Sequence, residues 1–390
     1  MAAYKYLIIG AGMTADAAVR GIRELDKDGT IAIIGSDSNP PYNRPPLTKA
    51  LWKGKSLDSI WRRTEQFTVD LHLGRTVQSI DPQAKTVRDD RGDEYSYEKL
   101  LLATGGTPRK LPFGDEGIIY YRSLEDYQKL RELSSQKEHF GVVGGGFIGS
   151  EIAAALAMNG KKVTMLFPEA GIGGRIYPAL LADYLNSYFR AKGVEVLTQT
   201  KLVNVQKQDG GYQLFTDDGR QLQVDALVAG IGIQPNIELA QAAGLQVANG
   251  IVVNDTLQTS QPDIFAAGDV AEFANPTLGK RLRIEHEDNA NTMGKQVGRN
   301  MVGAAEPYHH LSFFYSDLFE LGYEAVGELD SRFETFVDWK EEYKKGVVYY
   351  LDHGWVRGVL LWNVWDSIPK ARDLIAEPGP FTTASLRGRI

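Results

Sequence analysis

Apolar positions fall in short continuous runs separated by glycine and by helical periods. The run from Tyr4 to Ile9, "YKYLII", reads as a short apolar strand. "DAAVRGIREL" follows with helical periodicity, and "TIAIIGSD" is a second strand. The same succession returns at "FGVVGGGFIGSEIAAAL", Phe140–Leu156, with "KKVTMLF" as its second strand. Between and after these units the pattern predicts a helix in "PALLADYLNSYFRAKG" and a strand in "YQLFTDDG". "DALVAGIGIQPN" reads as a last strand with a return crossing. "GIVVNDTLQTSQPDIFAAGD" supplies later strands, and "NANTMGKQVGRNMVG" a helix. Near the C-terminus, "GVVYYLDHGWVRGVLLWN" predicts a hairpin around "DHG", then a helix in "SIPKARDLIAE" and a loose tail. Strands alternating with helices give an α/β class.

Composition narrows the chemistry. The chain of 390 residues is 43% hydrophobic and 24% charged, which fits two or three globular domains. No apolar run approaches the roughly 18 residues of a membrane helix, so no membrane association is expected. Met1 leads almost directly into the first strand, so no signal peptide is expected and the chain reads as cytoplasmic. The net charge of −7 argues against a general affinity for nucleic acid, although "LWKGK" and "SLRGRI" are locally basic. With no cysteine, disulfides, thiolate metal sites and thiol catalysis are all excluded. The six histidines form no HExxH-type pair, and no metal site is expected. Redox chemistry would therefore need a bound organic cofactor.

The two strand–helix junctions carry that possibility. Gly10, Gly12 and Ala15 have GxGxxA spacing, and Gly144, Gly146 and Gly149 have GxGxxG spacing. In such a junction the first glycine makes the tight turn and the second lets backbone approach a pyrophosphate. The small third residue brings helix against strand. Asp37 stands 25 residues past Gly12, and Glu169 stands 23 past Gly146, each where a carboxylate can bind ribose hydroxyls. One glycine pattern alone is weak; two complete units, each with strand, helix and acid, point to two dinucleotides. FAD and a nicotinamide nucleotide are the expected pair.

These residues resemble the two-dinucleotide flavoprotein reductases of the pyridine-nucleotide oxidoreductase superfamily. "YEKLLLATGGTPRKLP" resembles that family's crossing strand, with Thr104, Gly105 and Arg109 near the flavin cofactor. "DIFAAGDVAEF" resembles the late flavin motif, in which Asp269 binds the ribityl chain. "PPYNRPPLTKALW" resembles the segment covering the flavin in the ferredoxin-reductase branch, with Lys49 where disulfide reductases carry cysteines. "LFPEAGIGGRIYP", "RLRIEHEDNA", "FFYSDLFELGYEAVGELD" and "GVLLWNVWDSIPKARDLI" are similar to the apoptosis-inducing-factor branch. The chain departs from that pattern at Tyr315, where tryptophan is usual, and at Ser36 before Asp37, where an extra acid is common.

The resemblance implies two Rossmann-like FAD- and NAD-binding domains plus a C-terminal α+β domain. Flavin-binding parts are expected at residues 1–113 and 237–310, the NAD(H) domain at 114–236 and the C-terminal domain at 311–390. It implies Lys49, Glu151, Phe147 and His286 as catalytic residues. Lys49 would lie near flavin N5 with Glu151 as its charged partner, and Phe147 beside the nicotinamide. Arg44 would contact the FAD pyrophosphate, Glu285 and His286 the flavin side, and Tyr315 would wall the isoalloxazine. Val77, Ile148 and Gly232 complete the expected cofactor contacts. Glu169 should disfavour a 2′-phosphate and so prefer NADH, while Arg175 could attract that phosphate. For Glu151 the bland alternative is a helix-dipole carboxylate; for Lys49, a solvated lysine. The function implied is an NADH oxidoreductase passing electrons to a ferredoxin, a rubredoxin, a quinone or oxygen. The alternative is a slow NADH-sensing flavoprotein acting through a charge-transfer complex, a change of oligomeric state and protein partners.

Overall fold

The computed structural model describes residues 1–114 and 116–390. The chain divides into two compact units. One comprises Met1–Arg44, Leu57–Thr107 and Gln234–Ser312; the other Pro45–Ser56, Pro108–Ile233 and Phe313–Ile390. The short excursion Pro45–Ser56, which carries Lys49, belongs to the second unit.

The first unit is built on a seven-stranded sheet. Asp70–Leu73, Ile31–Gly35, Ala2–Ile9 and Glu94–Leu102 are consecutive and parallel, and Ile264–Ala266 pairs parallel with the last. Thr86–Asp89 and Val77–Asp81 extend it as antiparallel strands. Tyr6 to Ile9 and Ile31 to Gly35 are buried throughout, which explains their unbroken apolar runs. Helix Met13–Leu25 follows the first strand, and helix Glu287–Val302 ends at Gly303 with φ 112°, a left-handed cap that glycine adopts without cost.

The second unit contains a five-stranded sheet in the order Val194–Leu197, Lys162–Leu166, His139–Val143, Ala226–Ala229 and Ile119–Tyr120. All its pairings are parallel. Helices Phe147–Met158 and Ala179–Ala191 connect its strands. The antiparallel strands Leu202–Gln208, Gly211–Thr216 and Gln221–Val224 form a small separate sheet. Beyond residue 312 the chain makes a five-stranded antiparallel sheet followed by helix Ile368–Ala376. Its hairpin turns at His353 and Gly354, both at positive φ, the two-residue turn that matches strand twist. The two Rossmann-type sheets and the C-terminal α+β part are thus those expected.

The tail differs from expectation. Thr383–Leu386 forms a helical turn capped reciprocally by Thr382 and Ser385, Leu386 is fully buried, and Gly388 N donates to Asp338 Oδ2 at 2.6 Å. A buried leucine, a capped turn and hydrogen bonds to Asp338 and Gly354 anchor a segment whose composition carries no periodic signal.

Candidate functional site

In the first cradle, Gly10 has φ +111°, and a Cβ there would lie 2.2 Å from the Ala103 carbonyl oxygen. Only glycine allows the strand to turn so close to its neighbour. Gly10 N donates to Ile34 O at 2.7 Å, and Ala103 N to Ile9 O at 2.8 Å, which fixes the loop across three strands. Gly12 is the N-cap of helix Met13–Leu25, and a Cβ on it would meet no described atom within 4 Å. The second cradle repeats this. Gly144 has φ +112° and a would-be Cβ 2.3 Å from Gly230 O; Gly146 caps helix Phe147–Met158 and faces open space.

Both loops therefore fit a diphosphate. A glycine N-cap offers no side chain to the first N–H groups, which stay available to an anion at the positive end of the helix. Helix Leu124–Gln136 shows the contrast, since Ser123 and Asp126 close its N-terminus in a capping box. The third motif positions differ. Ala15 is fully buried, with its methyl accommodated. At Gly149 a Cβ would lie 2.0 Å from Gly144 O, so no side chain fits.

The acidic partners stand at the ends of the second strands. Asp37 Oδ1 accepts from Asn39 N and Nδ2, and Oδ2 accepts from Tyr42 OH at 3.0 Å. Glu169 Oε1 accepts from Arg175 Nε at 2.7 Å and Nη2 at 2.6 Å. Arg175 is 83% exposed, so this pair is open to solvent.

The strongest constellation is in the second unit. Glu151 lies just past the first turn of its cradle helix, with its side chain only 3% exposed. Oε2 accepts from Lys49 Nζ and from Thr48 Oγ1, both at 2.6 Å. Oε1 accepts from Ser316 Oγ at 2.5 Å. Lys49 is 11% exposed and its ammonium sits 5.2 Å from the Tyr315 ring centroid. The solvated-lysine and bare helix-dipole readings do not describe a pair this enclosed. Phe147, the first residue of the helix, meets the Phe314 ring edge-on at 5.5 Å. Tyr121 OH donates to Leu47 O at 2.5 Å, anchoring the segment that carries Lys49.

The remaining candidates divide between the units. Gly105 O accepts from Asn236 N at 3.0 Å, and Thr104 exchanges two 2.9 Å bonds with Asn236. Val77 is buried at the start of its strand, and Arg44 is half-buried. Asp269 lies in the turn Gly268–Val270, where its carbonyl accepts from Arg283 Nη1 at 2.8 Å; the same guanidinium pairs with Glu285 at 2.6 Å. His286 is the N-cap of helix Glu287–Val302. Burial pushes its imidazole down to about 4, against the opposing pull of Asp269 and Asp288, so it is neutral at pH 7. All these are in the first unit. Arg109, Gly232, Ile148, Glu169, Arg175 and Tyr315 are in the second, where Arg109 N donates to Gly232 O at 2.9 Å.

Sequence reasoning missed Thr48, Ser316, Phe314 and Asp16. Asp16 is fully buried at the first cradle helix and accepts from Arg20, Arg62 and Thr64. Burial alone would raise its carboxyl, but those three donors outweigh it and hold it low. Arg62 also donates to Asn43 and Asn291, tying the helix to two other segments. A charged residue inside an otherwise apolar helix start was the available signal. Ser316 and Thr48 each neighbour a residue that was singled out. Among the described residues no group of histidines or acids could hold a metal ion, and no helix is long and apolar enough to cross a membrane.

Comparison with known proteins fits this geometry. Residues 4–294 match the family described as pyridine nucleotide-disulphide oxidoreductase. Residues 297–339 and 337–377 match the C-terminal domain of mitochondrion-associated apoptosis-inducing factor. The chain is 35% identical to apoptosis-inducing factor 1, mitochondrial, of Dictyostelium discoideum, over 95% of this chain and 78% of that one. It is 32% identical to the ferredoxin–NAD(+) reductase component of 3-phenylpropionate/cinnamic acid dioxygenase from Photorhabdus laumondii, covering 96% of each chain. Among solved structures, the covalent putidaredoxin reductase–putidaredoxin complex superposes with a TM-score of 0.89 at 30% identity, covering 96% of this chain and 94% of that one. The chain belongs to the pyridine nucleotide-disulphide oxidoreductase family, as an FAD-dependent NADH oxidoreductase with a C-terminal domain of apoptosis-inducing-factor type.

Proposed function

We propose that the chain is the reductase of an electron-transfer pair, taking electrons from NADH and delivering them to a small iron–sulfur protein of ferredoxin or rubredoxin type. Bound together, FAD and NADH supply hydride exchange between nicotinamide C4 and flavin N5. The chain's own residues bind and orient. The first cradle, with Gly10, Gly12 and Ala15, holds the FAD diphosphate, and the second, with Gly144, Gly146 and Gly149, the NADH diphosphate. Asp37 and Glu169 receive ribose hydroxyls; Glu169 also disfavours a 2′-phosphate by charge. Lys49, fixed by Glu151, places a positive charge where a group gaining electrons is favoured. Phe147 orients the nicotinamide, and neutral His286 lines the flavin side without adding charge.

The observation that carries this reading is the enclosed Lys49–Glu151 pair on the helix of the second glycine cradle. Similarity to a ferredoxin–NAD(+) reductase component over 96% of both chains supports the acceptor class. Anaerobic stopped-flow mixing with NADH should bleach the long-wavelength flavin band, and a ferredoxin or rubredoxin added next should restore it. No bleaching, or no restoration by any iron–sulfur carrier, defeats the reading. The C-terminal match favours a second reading, a slow NADH sensor that changes its partners or oligomeric state. Slow turnover with every acceptor and an NADH-dependent sedimentation change would select it.

A further inference from the structure

Strand Phe313–Leu318 alternates half-buried and buried residues, so Phe314, Ser316 and Leu318 share one face, and Tyr315 and Asp317 the other. The buried face is matched to the second cradle helix. Phe314 meets Phe147, and Ser316 Oγ donates to Glu151 Oε1. Residues 147 and 151 are about 6 Å apart along a helix, and residues 314 and 316 roughly 6.6 Å apart along a strand. The equal spacings let one apolar and one polar pair set the register together. The other face meets the segment Pro45–Ser56 through Tyr315 with Lys49 at 5.2 Å and Asp317 with Lys53 at 3.3 Å. Both partners of the enclosed ion pair are thus held by adjacent residues of one strand.

We propose that Ser316 is a positioning residue for the reductive step, its hydroxyl fixing Glu151 Oε1 so that Oε2 alone faces Thr48 and Lys49. This inference rests on the reading that Lys49 and Glu151 serve electron transfer from NADH. The terminal torsion of a glutamate is broad, so the carboxylate needs a fixed donor on each oxygen to keep one orientation. Ser316 is 1% exposed, which leaves no ready place for water to substitute for its hydroxyl. Without it the carboxylate turns, and the Lys49 ammonium loses its fixed place.

The test uses the FAD-loaded protein with Ser316→Ala, Ser316→Thr, Glu151→Gln and Ser316→Ala/Glu151→Gln. Loss of one hydrogen bond to a charged group should slow NADH-driven flavin reduction about tenfold in Ser316→Ala, with the NADH dissociation constant within about twofold of wild type. Ser316→Thr, which keeps the hydroxyl, should restore the rate. In the Glu151→Gln background, Ser316→Ala should add little to the rate loss. Urea unfolding should show the same non-additivity, a readout independent of turnover. Wild-type reduction in Ser316→Ala, equal slowing in both backgrounds, or a Ser316→Thr variant as slow as Ser316→Ala at the wild-type urea midpoint overturns the proposal. Wild-type reduction in Glu151→Gln instead overturns the functional reading on which it rests.

Discussion

The two glycine cradles are built on one plan and closed in different ways. Each turns at a glycine whose Cβ would strike a neighbouring carbonyl, at 2.2 Å for Gly10 and 2.3 Å for Gly144. Each opens its helix with a glycine that leaves N–H groups available. They diverge at the third motif position, where the first accepts the Ala15 methyl and the second, with 2.0 Å from Gly149 to Gly144 O, accepts nothing. They diverge again in the next residues. The first cradle buries Asp16 against two arginines and one hydroxyl, and the second buries Glu151 against one lysine and two hydroxyls. The backbone plan is common to both cradles, and the buried carboxylate beside it is where they part: the proposed reactive pair lies at the second, and a tie between segments at the first.

The sharpest way to break the comparison is to exchange the third residues. Gly149→Ala forces a methyl into backbone and should weaken NADH binding by at least about 100-fold, a cost of overpacking beside a fixed carbonyl. FAD should remain bound, because its cradle is in the other unit. Ala15→Gly should cost only about 1 kcal/mol of helix stability and keep both nucleotides. Bound-flavin absorbance and NADH titration read the two outcomes. Loss of FAD and retention of NADH in Gly149→Ala would reverse the assignment of the cradles.

The buried carboxylates give the next largest effect. Removing one partner from an enclosed pair leaves the other uncompensated, typically at about 3–5 kcal/mol. Lys49→Met should therefore destabilise the protein by roughly 3 kcal/mol, and Lys49→Met/Glu151→Leu should recover most of that loss while flavin reduction stays slow. Arg62→Met at the first cradle should cost less, since Arg20 and Thr64 still reach Asp16. Urea unfolding beside stopped-flow reduction separates the roles: recovery of stability without recovery of rate marks the reactive pair.

Legibility followed locality. Both cradles could be read because strand, glycines, helix and distant acid lie in one continuous stretch, each with its own physical reason. Lys49 and Glu151 are 102 residues apart, and Ser316 lies 165 residues from Glu151. Pairing Lys49 with Glu151 came from resemblance; Thr48 and Ser316 have no sequence signature, because a serine on a strand reads as ordinary alternation. Asp16 was visible as a charge in an apolar helix, but its partners Arg62 and Thr64 come from a segment with no periodic pattern. The capped tail at Thr382 was hidden because one buried leucine does not make a period. Long-range polar contacts are settled by packing, which the sequence pattern does not encode.

A smaller effect should separate His286, proposed to line the flavin side, from an ordinary surface histidine. His286 is neutral when folded, with burial holding it at about 4, whereas an unfolded histidine titrates near 6.5. Between those values the unfolded chain binds more protons, so stability rises with pH there and falls as pH drops from about 6.5 towards 4. The loss should amount to at most roughly 3 kcal/mol, and His286→Gln should remove that part of the pH slope. Urea midpoints at several pH values measure it; an unchanged slope in His286→Gln would mean the imidazole is not buried in solution.

The least effect is expected at Asp37 and Glu169, the acids proposed to receive ribose hydroxyls, where the two cradles differ in exposure of their partners. Asp37 is held by Asn39 and Tyr42, neutral groups that leave its charge intact. Glu169 is paired with Arg175, which is 83% exposed and able to swing away or towards a phosphate. A carboxylate about 4 Å from a 2′-phosphate would cost up to about 4 kcal/mol at an effective dielectric of 20, and the solvent around this pair reduces that to about 1–2. Glu169→Gln should therefore raise kcat/KM for NADPH relative to NADH about 5–30-fold, and Arg175→Ala should move the ratio the other way. Steady-state kinetics with both nucleotides decide it. If Arg175→Ala leaves the ratio unchanged while Glu169→Gln shifts it, the carboxylate acts alone and the arginine is only its exposed counter-ion; if neither moves it, discrimination lies elsewhere in the second cradle.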